Sequence, residues 1–425
     1  MERALNGSTV LLVHAGSLSK QFILERAKAL GVRIICLNKK KEAFAEPFVD
    51  HWIFADLKDE TSCFKKITEF IVAHADIKID GVITFWDESV VLAAHISEQF
   101  CWIGILSKTA DRIKNKYAFR DACQTEGIPA PHHLLLNTEA DLAKADAELE
   151  YPVVVKPVYG ASSAFVVRAD NLSELTTVYN DQIKNIHTFW LAPEWNSLQV
   201  LVEEYIDGQE VDIDILVQNG EVKYISIIDN KETNEPFFVE TGWSSPSRLG
   251  AKEQKELEAM AVFTLKALKV ENGCVHFEAK YGSKGAVPIE INLRMGGGEV
   301  YLYSKLVWGV DLVENALKIA LGLPVVIDKP DKPICHLLSY RFLPEKTCKL
   351  TKLRVDEAVY GQSSVVSLYF EKQVGDIFLA PPEGYDRCIG VITVKGESHV
   401  AAEENLAKAL KYIKYAVEPL NHITI

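Results

Sequence analysis

From Ser8 to Val13 the chain reads STVLLV, a short apolar run, and Arg33 to Leu37 reads RIICL. Helical spacing between them, from Ser19 to Leu30, predicts a βαβ unit. Further apolar runs at Trp52–Ala55, Gly81–Phe85 and Trp102–Ile105, separated by helical stretches, predict a parallel sheet covered by helices. A helix is expected from Ala110 to about Glu126, stopped by Gly127-Ile128-Pro129-Ala130-Pro131. From Tyr151 onward the period shortens to two. Val200–Tyr205, Glu210–Gln218 and Glu221–Ile228 are predicted strands, the last two joined by Asn219-Gly220, a strong hairpin signal. An amphipathic helix over Glu253–Leu268 precedes a second strand pair, Cys274–Tyr281 and Ala286–Leu293. Asp311–Leu321 reads as a helix ended by Gly322, and Pro324–Pro333 as a linker into a final segment closed by a helix over Ala401–Val417. The expected class is α/β with α+β character.

Composition narrows the function without naming it. The 425 residues allow two to four lobes, and 48% apolar with 25% charged is ordinary for a soluble protein. Lys and Arg number 46 against 59 acidic residues, which argues against a nucleic-acid or anionic-membrane surface while permitting a local basic pocket. Met1 to Asn6 carry mixed charge and no apolar run reaches membrane-spanning length, so a cytoplasmic protein is expected. The eight cysteines are scattered without C-x-x-C or zinc spacing, and buried free thiols in a reducing compartment are the simplest reading. Only Gly16 is glycine in the first βα turn, so the dinucleotide fingerprint is missing. No G-x-x-x-x-G-K-[ST] occurs, which excludes a P-loop kinase.

Four clusters carry candidate chemistry. Asn115-Lys116, with Tyr117 and Arg120, precedes Gly-Ile-Pro; alone, that lysine reads as a solvated charge. Tyr151-Pro-Val-Val-Val-Lys156-Pro157 ends an apolar strand on an ammonium, an expensive position unless an anion meets it. The small-residue turn Tyr159-Gly-Ala-Ser162-Ser163-Ala164 follows directly, and its backbone N–H groups suit phosphate oxygens. Glu203-Glu204-Tyr205-Ile206-Asp207-Gly208-Gln209-Glu210 sets carboxylates at a strand end, where they suit a purine amino group and ribose hydroxyls. In the fourth cluster, strand alternation puts His276, Glu278 and Lys280 on one face, then Glu290, Asn292 and Arg294, with Ile289, Ile291 and Leu293 packing the core. Glu278, Glu290 and Asn292 form an oxygen-only set suited to Mg²⁺. Arg294, followed by Met-Gly-Gly-Gly298, stands where it can fork onto a transferring phosphate. A solvated polar sheet face accounts for Lys280 as a surface residue but not for three oxygen ligands followed by Arg.

In this order the clusters resemble the ATP-grasp superfamily over roughly residues 105 to 325. The Arg294-Met-Gly-Gly-Gly298 continuation and Gly242-Trp-Ser-Ser-Pro246 are most similar to amino-acid ligases of the dipeptide and carnosine synthase kind. The resemblance implies an ATP-grasp fold: a Rossmann-like parallel-sheet lobe over 1–105, a linker helix and lid subdomain over 106–205, a catalytic antiparallel-sheet subdomain over 206–330, and a C-terminal α+β segment over 331–425. It implies that Lys116 and Lys156 contact ATP phosphates and that Ser162 and Ser163 lie in a mobile lid loop. It further implies that Glu203, Glu204 and Tyr205 line the adenine hinge, that Glu210 takes the ribose, that Glu278, Glu290 and Asn292 bind Mg²⁺ (or Mn²⁺), and that Arg294 and Lys156 act in catalysis. The lid loop here has fewer glycines than the family's usual pattern. The implied reaction is ligation of a carboxylate and an amine, both expected to be amino acids, through an acyl phosphate with release of ADP; a homodimer is expected on the same ground. Two rivals stand beside it, an ATP-grasp carboxylase or purine-synthesis-type ligase, and a silent nucleotide-binding regulatory module. The complete metal set with Arg294 speaks against the second rival.

Overall fold

The computed structural model describes residues 4–188 and 199–420; Met1 to Arg3 of the amino-terminal segment lie outside them. The first strands are β1 (Thr9–Val13), β2 (Arg33–Asn38), β3 (His51–Phe54) and β4 (Gly81–Ile83), with α1 (Gln21–Ala29), α2 (Glu60–Ala73) and α3 (Val90–Gln99) among them. They form a parallel sheet in the order β3-β2-β1-β4. All five residues of β1 are buried, as expected for a strand flanked by partners and covered on both faces. Trp102–Ile105 forms no strand: the sheet ends at β4, and Ile103 and Ile105 instead line an apolar cavity with Ala316 and Cys274. The single helix expected over Ala110–Glu126 is two, α4 (Ser107–Lys114) and α5 (Lys116–Glu126). Asn115 breaks it, adopting an extended backbone and capping α5 with a side chain that accepts from Ala118 N at 2.9 Å.

A small antiparallel sheet follows, built from β5 (His133–Leu136), β6 (Val153–Pro157), β7 (Val167–Ala169) and β8 (Val200–Glu204), ordered β5-β8-β6-β7 and backed by α6 (Asp141–Glu148) and α7 (Leu172–Asn185). The remaining chain supplies β9 (Gln209–Gln218), β10 (Glu221–Asn230), β11 (Trp243–Ser245), α8 (Ala251–Ala267), β12 (Gly273–Gly282), β13 (Gly285–Asn292), α9 (Val300–Trp308), α10 (Leu312–Ala320), β14 (His336–Phe342), β15 (Cys348–Val355), β16 (Val365–Phe370), β17 (Ile377–Phe378), β18 (Gly390–Gly396), α11 (His399–Leu410) and β19 (Ile413–Pro419). Eight of these strands make one sheet, ordered β13-β12-β9-β10-β11-β14-β18-β16. Three of its strands therefore come from beyond the proline-rich stretch. The helix expected to run to Val417 stops at Leu410, because Ile413-Lys-Tyr-Ala-Val417 alternates and pairs with β15.

Alternation along β9 sorts the large sheet into two faces. Val211, Ile213, Ile215 and Val217 join Phe277, Ile291 and Leu293 in a core closed by Leu257 and Leu265 of α8 and by Phe119 of α5. The carboxylates Glu210, Asp212 and Asp214 therefore point to the opposite face. All eight cysteines are free thiols; Cys101 is exposed, contrary to the expectation of uniform burial. Among the described residues no helix is long and apolar enough to cross a membrane.

The amino-terminal sheet docks on α10 through Gly81, where an added Cβ would stand 2.3 Å from Ala320 O. Gly81→Ala is expected to lower stability by about 1–3 kcal/mol through overpacking, read as a fall in the urea midpoint at unchanged slope.

Candidate functional site

Every sequence-predicted site residue except Glu204 lines a single cavity of about 190 Å³ between the small sheet and the polar face of the large one. Its floor follows from strand register. His276 pairs with Asp214, Glu278 with Asp212 and Lys280 with Glu210 across β12–β9, while Glu278 pairs with Glu290 and His276 with Asn292 across β12–β13. A register shift next to Glu278 aligns Ala279 with Pro288 and leaves Ile289 as the extra residue. Ile289 consequently lines the cavity beside Glu290, whereas Ile291 and Leu293 pack the core as expected. Lys280 departs from its expected surface position. It is buried, its Nζ lies 3.8 Å from Glu210 Oε2, and it stands 4.9 Å from the centre of the Tyr205 ring.

The wall is built from β6 and β8. Val153, Val155, Val200 and Val202 fill the small core, which turns Val154, Lys156 and Glu203 toward the cavity. Lys156 is buried, and the anion it requires is internal: Nζ donates to Glu203 Oε1 at 2.5 Å. Glu203 also receives Arg120 bidentately, Nε at 2.7 Å and Nη2 at 3.1 Å, and Arg120 Nη1 donates to Pro288 O at 3.1 Å. Burial alone would raise the Glu203 pKa; Arg120 and Lys156 outweigh it and hold the carboxyl at about 2. Burial shifts the Lys156 pKa downward, with Glu203 opposing. Glu204, one residue on, faces the other way: its amide donates to His132 O at 2.9 Å and its carboxylate lies 3.8 Å from exposed Lys284.

Lys116, in the first turn of α5, reaches the cavity because Asn115 ends the preceding helix. Its Nζ is 3.0 Å from Glu290 Oε1 and donates to Gly160 O at 3.3 Å. Ser162 and Ser163 hold left-handed backbones, φ 58° and 53°, a conformation more usual for glycine. Serines thus fill, in this loop, backbone positions of glycine type.

Glu278 is half-buried opposite Glu290, and desolvation together with that neighbour pushes its pKa well above the carboxylate range. Asn292 Nδ2 donates to Glu278 Oε1 at 3.0 Å. A divalent cation fits this pair: it removes the repulsion between the carboxylates, and Asn292 Oδ1 supplies a third oxygen. No group of three His, Cys, Asp or Glu side chains suited to a metal occurs among the described residues, so the amide oxygen is needed to complete the set.

A second cavity of about 160 Å³ adjoins the first, and Ser162, Ser163, Glu240, Glu278 and Arg294 border both. Arg294 Nη1 donates to Met295 O at 3.0 Å, and Nε lies 3.6 Å from Asp87 Oδ1 of the amino-terminal lobe. Burial would raise the Asp87 pKa, but Lys114 and Arg294 hold it well below the usual range. His276 joins Asp214 at 3.0 Å and stands 3.9 Å from both Asp212 and Glu278. Burial opposes its protonation, yet these acids lift its pKa to about 9. Gly296 permits the adjoining turn, since a Cβ there would stand 2.7 Å from His276 Nδ1. The roles of Arg120, Asp212, Asp214, Glu240 and Lys280 escaped sequence reasoning. The signal for two of them was Glu210-x-Asp212-x-Asp214 inside an otherwise apolar strand.

Residues 149–301 match the sequence model of the ATP-grasp domain, and residues 24–100 that of the ATP-grasp N-terminal domain. Carnosine synthase 1 of Gallus gallus is 27% identical over 343 residues, 77% of this chain and 36% of its own. The L-arginine-specific L-amino acid ligase of Bacillus subtilis is 23% identical over 345 residues, 78% of this chain and 80% of its own. The chain spans about two fifths of the length of the carnosine synthases it matches. The crystal structure of L-amino acid ligase from Bacillus licheniformis has the same fold, with a TM-score of 0.80 at 22% identity over 98% of this chain and 100% of that one.

Removing Glu203 strands two buried cations, whereas removing Lys156 leaves the Arg120–Glu203 pair intact. Glu203→Gln is expected to cost about 3–5 kcal/mol, and Lys156→Met no more than about 1.5 kcal/mol, compared by urea unfolding. Because the folded pKa of Glu203 is depressed to about 2, its contribution is complete above about pH 4.3 and disappears as pH falls toward the folded value. The stability difference between wild type and Glu203→Gln should shrink over that same interval.

Proposed function

Since the chain is an ATP-grasp domain protein related to carnosine synthase and the L-amino-acid ligases, we propose that it is an ADP-forming ligase. In this reading it joins a carboxylate, itself an amino acid, to an amine through an acyl phosphate. The observation that carries the proposal is the meeting of two adjoining cavities at Arg294: one is lined by Lys116, Lys156, Glu278, Glu290 and Asn292, the other by a mixed polar and apolar wall that includes His276, Arg341 and Trp243. A nucleotide with its terminal phosphate at the shared rim, and a carboxylate in the second cavity, would face each other there.

Each group then has a task. Lys156 and Lys116 neutralise phosphate oxygens, and their present partners Glu203 and Glu290 keep both ammonium groups aimed into the cavity before nucleotide arrives. Tyr205 and Ile289 offer apolar surface to a base, and Glu210 an acceptor to ribose hydroxyls. Glu278, Glu290 and Asn292 would hold Mg²⁺, which supplies Lewis-acid screening of the phosphate charge. Arg294 donates to the charge that develops as the carboxylate oxygen attacks the γ-phosphorus and ADP leaves. The Ser162-Ser163 loop, bordering both cavities, is placed to shield the anhydride from water until the amine attacks its carbonyl carbon and expels phosphate.

With ATP, Mg²⁺, an amino-acid donor and hydroxylamine, a hydroxamate should form in step with ADP and orthophosphate, followed by chromatography of the nucleotides. AMP and pyrophosphate as products would overturn the mechanism. Glu290→Ala should cut turnover at least about 100-fold while retaining the wild-type far-ultraviolet spectrum; a soluble variant with near-normal turnover removes Glu290 from the metal set.

A further inference from the structure

Among the described residues, the second cavity contains one acid with no cationic partner. Glu299 borders it and is only 6% exposed. It occupies the residue before α9, where a carboxylate ordinarily accepts from first-turn amides, yet its side chain makes no such bond. Among the described residues, its carboxylate accepts one side-chain hydrogen bond, from Ser367 Oγ to Oε2 at 3.3 Å. Among the described residues no Lys, Arg or His forms an ion pair with it. The neighbouring acids each have a basic side chain beside them: Glu240 has Arg341 at 2.9 Å, and Asp212 and Glu278 have His276 at 3.9 Å. The arginines on the same wall are also taken, Arg341 by Glu240 and Arg387 by Glu371 at 2.9 Å. A buried carboxylate without a counter-ion is costly, and burial indeed pushes the Glu299 pKa upward. The N-terminus of α9 and the Ser367 hydroxyl both favour its ionised form, but neither carries a full positive charge.

We infer that Glu299 is the counter-ion for the ammonium group of the carboxylate substrate. The donor's carboxylate would lie at the Arg294 rim and its ammonium at Glu299, so the cavity selects zwitterionic amino acids over the corresponding acids without an amine. This inference rests on the ligase reading and deepens it by assigning donor selection to one residue. Glu299 is on this view a specificity-determining group, since it touches the donor away from the reacting oxygen.

The test pairs donors that differ only in the amine: glycine with acetate, L-alanine and β-alanine with propionate, and γ-aminobutyrate with butyrate. Hydroxylamine serves as common acceptor, and ADP release is measured with the full chain, ATP and Mg²⁺. In the wild type at least one amino donor should exceed its counterpart about 100-fold in kcat/KM. Glu299→Gln should bring that ratio to within a few-fold by lowering only the amino member, with the KM for ATP and the ATP-induced rise in Tm unchanged. Glu299→Asp should restore part of the preference, and provides the comparison if the Gln variant does not fold. A preference that persists in a folded Glu299→Gln protein, or is missing from the wild type while acids without an amine are turned over, overturns the inference and leaves the ligase reading standing. If no carboxylate of either kind accelerates ADP release, the ligase reading itself falls and takes this inference with it.

Discussion

The arrangement of the site depends on one buried ionic group, Arg120–Glu203–Lys156. Arg120 belongs to α5, Glu203 to β8 and Lys156 to β6, and the remaining arm of Arg120 reaches Pro288 O on β13. Three separately formed pieces of structure are thereby fixed at hydrogen-bond distance. The group is nearly sealed from solvent, so its charges interact in a low dielectric where an unmatched member is expensive. That cost is a constraint on geometry: β6 and β8 cannot slide relative to the floor strand without separating charges that water does not reach. Lys156 is held ready by the same contact, with one ammonium aimed at the cavity and an excess positive charge left over once Glu203 has neutralised one cation.

The rest of the site is a consequence of pleating. Apolar residues of β9, β12 and β13 that face α8 and α5 form the core, which leaves every intervening side chain on the opposite face. Glu210, Asp212, Asp214, His276, Glu278, Lys280, Glu290 and Asn292 are collected there by alternation and register alone. Such a concentration of acids is self-repelling. Within the chain it is relieved by His276, whose pKa these acids raise, and by Lys280 and Lys116, and at Glu278 and Glu290 it remains only partly relieved. The floor of the site is thus strongly biased toward cations, while Arg294, Lys116 and Lys156 on its rim are biased toward anions, the division that a metal-bound polyphosphate requires.

Much of this was legible in the sequence, and the losses have identifiable causes. The parallel sheet, the Asn219-Gly220 hairpin and the β12–β13 pair follow from period and turn chemistry. The cavity-lining positions of Lys156, Glu278, Glu290, Asn292 and Arg294 follow from polar residues interrupting apolar strands. The split at Asn115 was hidden because the apolar spacing continues through it and only the cap marks the boundary. Trp102–Ile105 was read as a strand on composition, but tertiary packing gave those residues to a cavity wall. Lys280 looked like a surface lysine because one strand cannot reveal that Glu210 and the Tyr205 ring lie across from it. Arg120 was visible as a residue and invisible as a function: its partners are distant in the chain, and nothing local requires them.

The extra residue at Ile289 sets how this site can vary. With the register shifted beside Glu278, two consecutive side chains, Ile289 and Glu290, look into the cavity from the same strand. The short β12–β13 connection at Ser283 and Lys284 fixes which residues fall on either side of that shift. Substitutions along the cavity rim change chemistry one residue at a time. A one-residue register slip of β13 would exchange Glu290 and Asn292 with Ile291 and Leu293, turning carboxylate into the core and isoleucine toward the cavity. The cavity lining can therefore be altered one side chain at a time, whereas the length of that hairpin sets the whole strand's register against the floor.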